Sequence, residues 1–503
     1  MQKIIKLNCF LISLLLIICS TFISTNIYAA DFDTFLNEFP KSYRTSLTKL
    51  HNTYPNWVFI PDEIDYTFKD AVNAQDYLFY KLTNSKYNSY RSMRQGCYDW
   101  SSKKFVEVGV SWYGASREVI AYYMDPRNFL NEDNIYIFMS QSFDSLTQTV
   151  NDIEKLVNNT FLDNKITDVS DAYYGKSYAQ LIFDAAKLSS VNALVLTSAI
   201  LQEQGINGTA LSNGAVYEGA TVYNFFNFGA FGETKQSILL NGKKFAYSNK
   251  WFTASEAIID GAKMYCDDYL KKGQNTFYYK DYNVCNPNDL WHQYASNVEN
   301  AIDSARFLKN SYSQHKDLKL TFRIPVFKDM PQNISALPSK SSKLNNYYLE
   351  NIEATGLTPS FNRYNYEYNL SVNGNSYIYL KLPAGASYVG NTTVSLKKGE
   401  NKVKLCVKSQ TGYTRDYIIN VSSSKACKLY VNTNGSCNVK RGDSNNDNKI
   451  SITDLSNVRL HLLGVITLDN NNYIGADTNS DGRITIVDLA NIRLHLLKII
   501  TLK

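Results

Sequence analysis

One twelve-residue pattern is written twice near the C-terminus, and it constrains the fold more than any other feature. The first copy runs Asp443-Ser444-Asn445-Asn446-Asp447-Asn448-Lys449-Ile450-Ser451-Ile452-Thr453-Asp454, and the second runs Asp477-Thr478-Asn479-Ser480-Asp481-Gly482-Arg483-Ile484-Thr485-Ile486-Val487-Asp488. Each places oxygen-bearing side chains at positions 1, 3, 5 and 12, with a turn-permissive Asn448 or Gly482 at position 6. Such hard oxygen donors converging around a tight loop are what calcium requires, with position 7 adding a backbone carbonyl. The expected ligands are Asp443, Asn445, Asp447, Lys449 and Asp454 for one Ca2+, and Asp477, Asn479, Asp481, Arg483 and Asp488 for a second. Few apolar residues remain here to build a core without metal, so ion binding and folding are expected to be coupled.

Each loop runs into a near-identical helical pattern, Asp454-Leu-Ser-Asn-Val-Arg-Leu-His-Leu-Leu and Asp488-Leu-Ala-Asn-Ile-Arg-Leu-His-Leu-Leu, and the loop starts lie 34 residues apart. Asp rather than Glu fills position 12, and no helix is expected to enter either loop. This arrangement resembles a type I dockerin over 438–503, an all-α module with paired calcium loops. The resemblance implies a partner bearing a cohesin. It assigns recognition to loop positions 10 and 11 and the following helix: Ile452, Thr453, Arg459 and Leu460 in one copy, Ile486, Val487, Arg493 and Leu494 in the other. Exposed apolar side chains suit a protein interface, and the near symmetry implies that either copy can dock.

The other end of the chain carries an address. Lys3 and Lys6 precede the apolar run Leu11–Cys19, and Ala29-Ala30 precede Asp31, the pattern of a secretory signal peptide over 1–30. The mature protein is therefore expected to be secreted, extracellular or cell-wall associated, with no stable membrane span. A net charge of +6 suits an anionic surface, but no Lys/Arg block marks a nucleic-acid site. Export permits disulfides. Cys266 with Cys285 and Cys427 with Cys437 are the pairings left open, and the absence of a CxxC pair argues against structural zinc.

At 503 residues roughly three domains are expected. Residues 31–325 show helical periodicity, as in Tyr178–Leu188 and Ala254–Leu270, and read as one catalytic unit: an N-terminal subdomain (31–170) and a second part (171–325). Residues 326–345, with Pro331, Pro338 and the cluster Ser339–Ser342, read as a linker. From 346 to 423 the period becomes two, as in Val403-Lys404-Leu405-Cys406-Val407, which predicts an antiparallel β-sandwich. With Leu357–Phe361, Tyr366 and Tyr417–Val421 in place, this segment resembles the cadherin-like modules of bacterial surface proteins.

The chemistry centres on Glu203. Asn192–Gln204 reads as a helix whose apolar stripe is Leu196, Ala199 and Ile200, ended by Gly205. That spacing aims the Glu203 carboxyl toward the core side, where apolar surroundings favour a protonated general acid. Ala199-Ile200-Leu201-Gln202-Glu203-Gln204-Gly205, Tyr223-Asn224-Phe225-Phe226-Asn227-Phe228-Gly229-Ala230, Gly273–Tyr278 and His292–Asn297 occur in order. Together they resemble the glucosaminidase family of peptidoglycan hydrolases, including members labelled as mannosyl-glycoprotein endo-β-N-acetylglucosaminidases. Phe39–Tyr43, Tyr54–Phe59 and Tyr122–Leu130 extend the likeness upstream. Asp125 and Arg127 in the last of these read as a buried ion pair.

The resemblance implies an α+β lysozyme-like fold, Glu203 as general acid, Asn224, Phe225, Phe226 and Asn227 lining the substrate groove, and Tyr294 as a groove tyrosine. It implies hydrolysis of peptidoglycan glycan strands after N-acetylglucosamine. A second carboxylate would be Glu218 or Glu233, unless the substrate's acetamido group assists. Three other readings stay open: a lytic transglycosylase, disfavoured by Gln204 where such enzymes usually have Ser, a non-catalytic wall-binding or scaffold-docking subunit, and cleavage of chitobiose cores in glycoproteins.

Overall fold

The computed structural model describes residues 32–502 except 78, 267, 286–291, 434–438, 469 and 480. The expected signal segment and Cys437 lie outside the described residues. The chain forms two compact units, one of residues up to 84 with 108–337, the other of 85–107 with 338 onward. No helix among the described residues is long and apolar enough to cross a membrane.

In the first unit, β1 (Val58–Thr67) pairs in parallel with a strand 250 and more residues later, Thr321–Lys328, so that Phe59 faces Phe322. This pairing ties the ends of the helical region together. Its centre is α1 (Tyr178–Ser189) packed on α2 (Ala193–Gln204). Asn192 caps α2, its side-chain oxygen accepting from the amides of Leu194 and Val195. Every residue of α2 from Ala193 to Ile200 is buried, the mark of a central helix rather than a surface one. Gly205, with φ +70°, ends it. The hairpin β2 (Ala215–Tyr217) and β3 (Ala220–Val222) follows, then α3 (Lys235–Ser248), α4 (Ala254–Tyr265) and α5 (Asn300–Tyr312). Ser198 of α2 donates to the Tyr312 hydroxyl of α5 at 3.0 Å.

Asp125 and Arg127 form a two-pronged buried ion pair, with Nε–Oδ1 at 2.8 Å and Nη2–Oδ2 at 2.7 Å. Arg127 also donates to the carbonyls of Pro331 and Asn333, and Ser335 donates its amide to Asp125. The expected linker is therefore strapped down over its first half. Cys266 and Cys285 are not bonded to one another.

The second unit contains two four-stranded sheets over one core. With the Thr321–Lys328 strand as β4, its strands are β5 (Asn351–Glu353), β6 (Glu367–Val372), β7 (Ser376–Lys381), β8 (Ser387–Val389), β9 (Thr393–Leu396), β10 (Gly399–Lys408), β11 (Thr414–Ser423) and β12 (Cys427–Asn432). One sheet has the order β6-β11-β10-β8 and the other β9-β12-β7-β5. Tyr368, Leu370, Val403, Leu405 and Ile419 of the first meet Ile378, Leu380, Leu396 and Leu429 of the second. The sheets are mixed rather than antiparallel, because β6 runs parallel to β11 and β7 to β12. Period-two burial reports only which face is covered, and either strand direction satisfies it. β12 also lies beyond the expected end at 423.

Residues 85–107, read from sequence as part of the N-terminal subdomain, pack into this sandwich. Met93 and Tyr98 are buried in its core, Trp100 Nε1 donates to the Tyr364 hydroxyl at 2.6 Å, and the Arg363 guanidinium lies 3.8 Å from the Trp100 ring centre. The second half of the expected linker meets the same segment, Ser89 donating to the Ser339 carbonyl and Asn345 to that of Ser89.

The C-terminal part contributes α6 (Ile452–Leu462), α7 (Asn470–Ala476) and α8 (Ile486–Leu496) around Val458, Leu468, Ala476 and Ile492. The short α7 corrects the expectation that no helix enters either loop: it leads directly into Asp477. Its Ile474 is held by Tyr379 of β7 and by Val439, contacts that a local pattern does not reveal.

Candidate functional site

Glu203 stands in the last turn of α2 and is exposed. The expected apolar enclosure of its carboxyl is absent. Burial on all sides from Ala193 to Ile200 makes the Leu196–Ala199–Ile200 stripe uninformative about facing, and the helix leaves the core at Leu201. The carboxylate is instead held by a hydrogen bond. Asn227 Nδ2 donates to Glu203 Oε2 at 3.0 Å and to the Glu203 backbone carbonyl at 2.9 Å.

Asn227 takes a left-handed conformation, φ +53°, which Asn tolerates better than most residues. The residues before it are buried in the core rather than lining a groove. Phe225 and Phe226 sit in the core, and Asn224 directs its amide to the carbonyls of Phe228 and Gly242. The Phe226 ring lies against Gly261 of α4, where a Cβ would come within 2.4 Å of it. Of the four expected groove residues, Asn227 alone is partly exposed.

Gln204 is a hydrogen-bonded neighbour of Asn227 to which the sequence reading gave no place in the site. It is buried, and its Nε2 donates at 3.0 Å to the carbonyls of Asn224 and Phe225 and to Asn227 Oδ1. Its Oε1 accepts from the Thr209 hydroxyl. The departure from Ser after the Glu was the signal that could have found it.

Tyr294 is 60% exposed, its ring edge-on to Tyr269 at 5.7 Å. Gln202, the residue before Glu203, lines a cleft of about 410 Å³ with Tyr265, Phe277, Asp303, Arg306 and Phe307. Aromatic faces beside planar polar groups suit sugar rings. Glu218, at φ +50° in the turn between β2 and β3, and Glu233 are both exposed.

The two C-terminal loops adopt one geometry twice. Asp443 accepts from the amides of Asp447 (3.1 Å) and Asn448 (2.7 Å), and Asp477 from those of Asp481 (3.1 Å) and Gly482 (2.8 Å). Asp454 takes the amides of Ser444 and Ser451, and Asp488 those of Thr478 and Thr485. Among the described residues no three His, Cys, Asp or Glu side chains close on one point as a preformed cage, since Asp454 and Asp488 turn both oxygens onto loop amides. The donor set nonetheless fits a hard cation. Asp443, Asn445 and Asp447, or Asp477, Asn479 and Asp481, carry oxygens on one tight turn, with the Lys449 and Arg483 carbonyls next in each loop. Burial raises the proton affinity of Asp477, and the nearby Asp488 and Asp481 raise it further, the crowding of negative charge that a cation relieves.

Ile452, Thr453 and Arg459 are exposed with Leu460 half-buried, and Ile486, Val487 and Arg493 are exposed with Leu494 half-buried. The two copies thus offer equivalent surface positions.

Residues 441–497 match the family model of the dockerin type I domain. The Beta-N-acetylglucosaminidase of Bacillus subtilis (strain 168) is 31% identical over 226 residues, covering 44% of this chain and 24% of that protein. The chain thus combines likeness to glucosaminidases with likeness to type I dockerins. A Bifunctional autolysin of Staphylococcus epidermidis is 28% identical over 230 residues, 44% of this chain and 16% of that protein. One of Staphylococcus aureus (strain Mu50) is 34% identical over 153 residues, 29% and 12%. The chain thus spans about a quarter or less of the length of these relatives. Among solved structures, S. aureus glucosaminidase B aligns at 24% identity over 55% of this chain and 97% of its own, with a TM-score of 0.39.

Proposed function

We propose that this protein is a secreted endo-β-N-acetylglucosaminidase that cleaves peptidoglycan glycan strands and is brought to its place of action by its dockerin. The observation that carries the reading is Glu203: an exposed carboxyl at the end of a buried helix, oriented by the Asn227 amide. In this role Glu203 protonates the leaving glycosidic oxygen as the sugar develops oxocarbenium character. A strand lying over the carboxyl excludes water from it. Tyr294 and the cleft beside Gln202 offer ring faces for neighbouring sugars. Water is activated by Glu218 or Glu233, or the substrate's acetamido group takes that part.

The dockerin loops hold two calcium ions, through Asp443, Asn445, Asp447, Lys449 and Asp454 and through their counterparts Asp477, Asn479, Asp481, Arg483 and Asp488. The ions supply the positive charge that draws each set of oxygens together. Ile452, Thr453, Arg459, Leu460 and the equivalents Ile486, Val487, Arg493, Leu494 then meet a cohesin on another protein.

The test is clearing of purified peptidoglycan by the mature chain and by Glu203→Gln, with analysis of released muropeptides. Clearing by the wild type alone, leaving reducing N-acetylglucosamine ends, supports the reading. Anhydro-sugar ends would make it a lytic transglycosylase, and equal behaviour of the two proteins would remove Glu203 from the chemistry.

A further inference from the structure

An asparagine amide has nearly the same shape either way round, so its partners decide whether oxygen or nitrogen faces a given neighbour. For Asn227 that choice matters: nitrogen toward Glu203 donates to the carboxylate, whereas oxygen would repel it. Asn227 Oδ1 accepts from Gln204 Nε2 at 3.0 Å, and Nδ2 donates to the accept-only backbone carbonyl of Glu203 at 2.9 Å, so both ends of the amide turn Nδ2 toward the Glu203 carboxyl. Gln204 has the same ambiguity, and the backbone resolves it. Its Nε2 also meets the carbonyls of Asn224 and Phe225, groups that can only accept. At the other end, Gln204 Oε1 accepts from the Thr209 hydroxyl.

We propose that Gln204, set by these two carbonyls and by Thr209, is a positioning residue that holds the Asn227 amide in the direction the Glu203 backbone carbonyl also favours, and so steadies the placement of the Glu203 carboxyl. This rests on the reading of Glu203 as the acid. The order runs from rigid to mobile. Gln204 is 3% exposed, Asn227 is half-buried and Glu203 is exposed, so orientation passes from the core to the reacting group. Among the described residues only Oε2 of Glu203 is engaged by a side-chain donor, so Oε1 is the oxygen that can present a proton. A carboxyl held to one rotamer presents it in the productive direction for more of the time, an advantage that appears in kcat rather than in binding.

The alternative is that Gln204 merely staples the end of α2 to the loop at 224–227. The two roles are separated by kinetics of the full mature chain on solubilised, uncross-linked peptidoglycan strands. Asn227→Ala and Gln204→Met should each lower kcat on the order of tenfold, with KM within about twofold of wild type. The double variant should fall no further than Asn227→Ala alone, because Gln204 acts through Asn227. Multiplying losses, or an unchanged kcat in Gln204→Met, would overturn the proposal. Should Gln204→Met fail to fold, the exposed Thr209 decides: Thr209→Val should lower kcat and Thr209→Ser should restore it, while equal kcat values in these two variants also overturn it. Glu203→Gln is measured alongside. Full turnover there defeats the assignment of the acid, a result distinct from any loss or absence of coupling between positions 204 and 227.

Discussion

The side-chain amide of Asn227 bridges two atoms of one residue, donating to the backbone carbonyl and to Oε2 of Glu203 at 2.9 and 3.0 Å. Asn227→Asp replaces that donor by a second carboxylate of nearly the same shape. Glycan release should fall on the order of a hundredfold, since a misplaced or repelled reacting group is costly even when the fold is intact. Asn227 is partly exposed, so the melting temperature should move by only a few degrees. Turnover within twofold of wild type would separate Asn227 from the chemistry.

Gly261 permits the Phe226 ring to lie directly on α4, and Phe226 immediately precedes Asn227. A Cβ at 261 would sit 2.4 Å from Phe226 Cδ2. Gly261→Ala should therefore cost about 1–3 kcal/mol of stability and also reduce turnover, as the displaced ring shifts the 227 backbone. Gly273→Ala is the comparison. Its φ is +84° with nothing near the added carbon, so a cost of about 1 kcal/mol without loss of turnover is expected. Thermal melts and rates of both variants check this, and intact turnover in Gly261→Ala would refute the link.

Chelation should remove one melting transition and leave another. The proposed calcium binding would be coupled to folding of the small module around Val458 and Ile492, whereas the first unit has its own core. Titration calorimetry should count two ions for the wild type and one after Asp443→Ala or Asp477→Ala. The copies should differ at position 6. Asn448 occupies φ +66° as it is, but a Cβ at Gly482 (φ +80°) would lie 2.6 Å from the Asn375 carbonyl of the sandwich. Gly482→Ala should thus destabilise this unit by more than Asn448→Ala does.

Asp281 gives the first unit a pH dependence of definite sign. Burial pushes its carboxyl up to about 6, outweighing the pull of Lys81, while burial pushes Lys81 itself down to about 8 and leaves it charged at lower pH. From about pH 4 to 6 the folded chain keeps a proton that the unfolded chain has released. The associated stability is present below pH 4 and lost as pH rises through 6. Asp281→Asn should flatten that part of the melting-temperature profile. An unaltered slope would mean that Asp281 is not its source.

Local repetition and ordered motifs made several features legible in the sequence. The helix ending at Gly205 and the paired loops depend on capping residues, glycine and oxygen spacing, all set within a dozen residues. The same local signals could not say that β6 and β11 run parallel, because burial alternates identically in either direction. Nor could they place 85–107, whose Tyr98 and Trp100 find partners more than two hundred residues away.

At the site the division is similar. The sequence by itself determined which residue is the candidate acid and which oxygens are the candidate loop ligands, since those are questions of residue type and spacing. Only the tertiary structure decided that Glu203 is exposed, that Phe225 and Phe226 are buried, and that Gln204 is hydrogen-bonded to Asn227. Each of these depends on where a side chain's hydrogen-bond partners and packing neighbours come to rest, and those partners are brought together by folding.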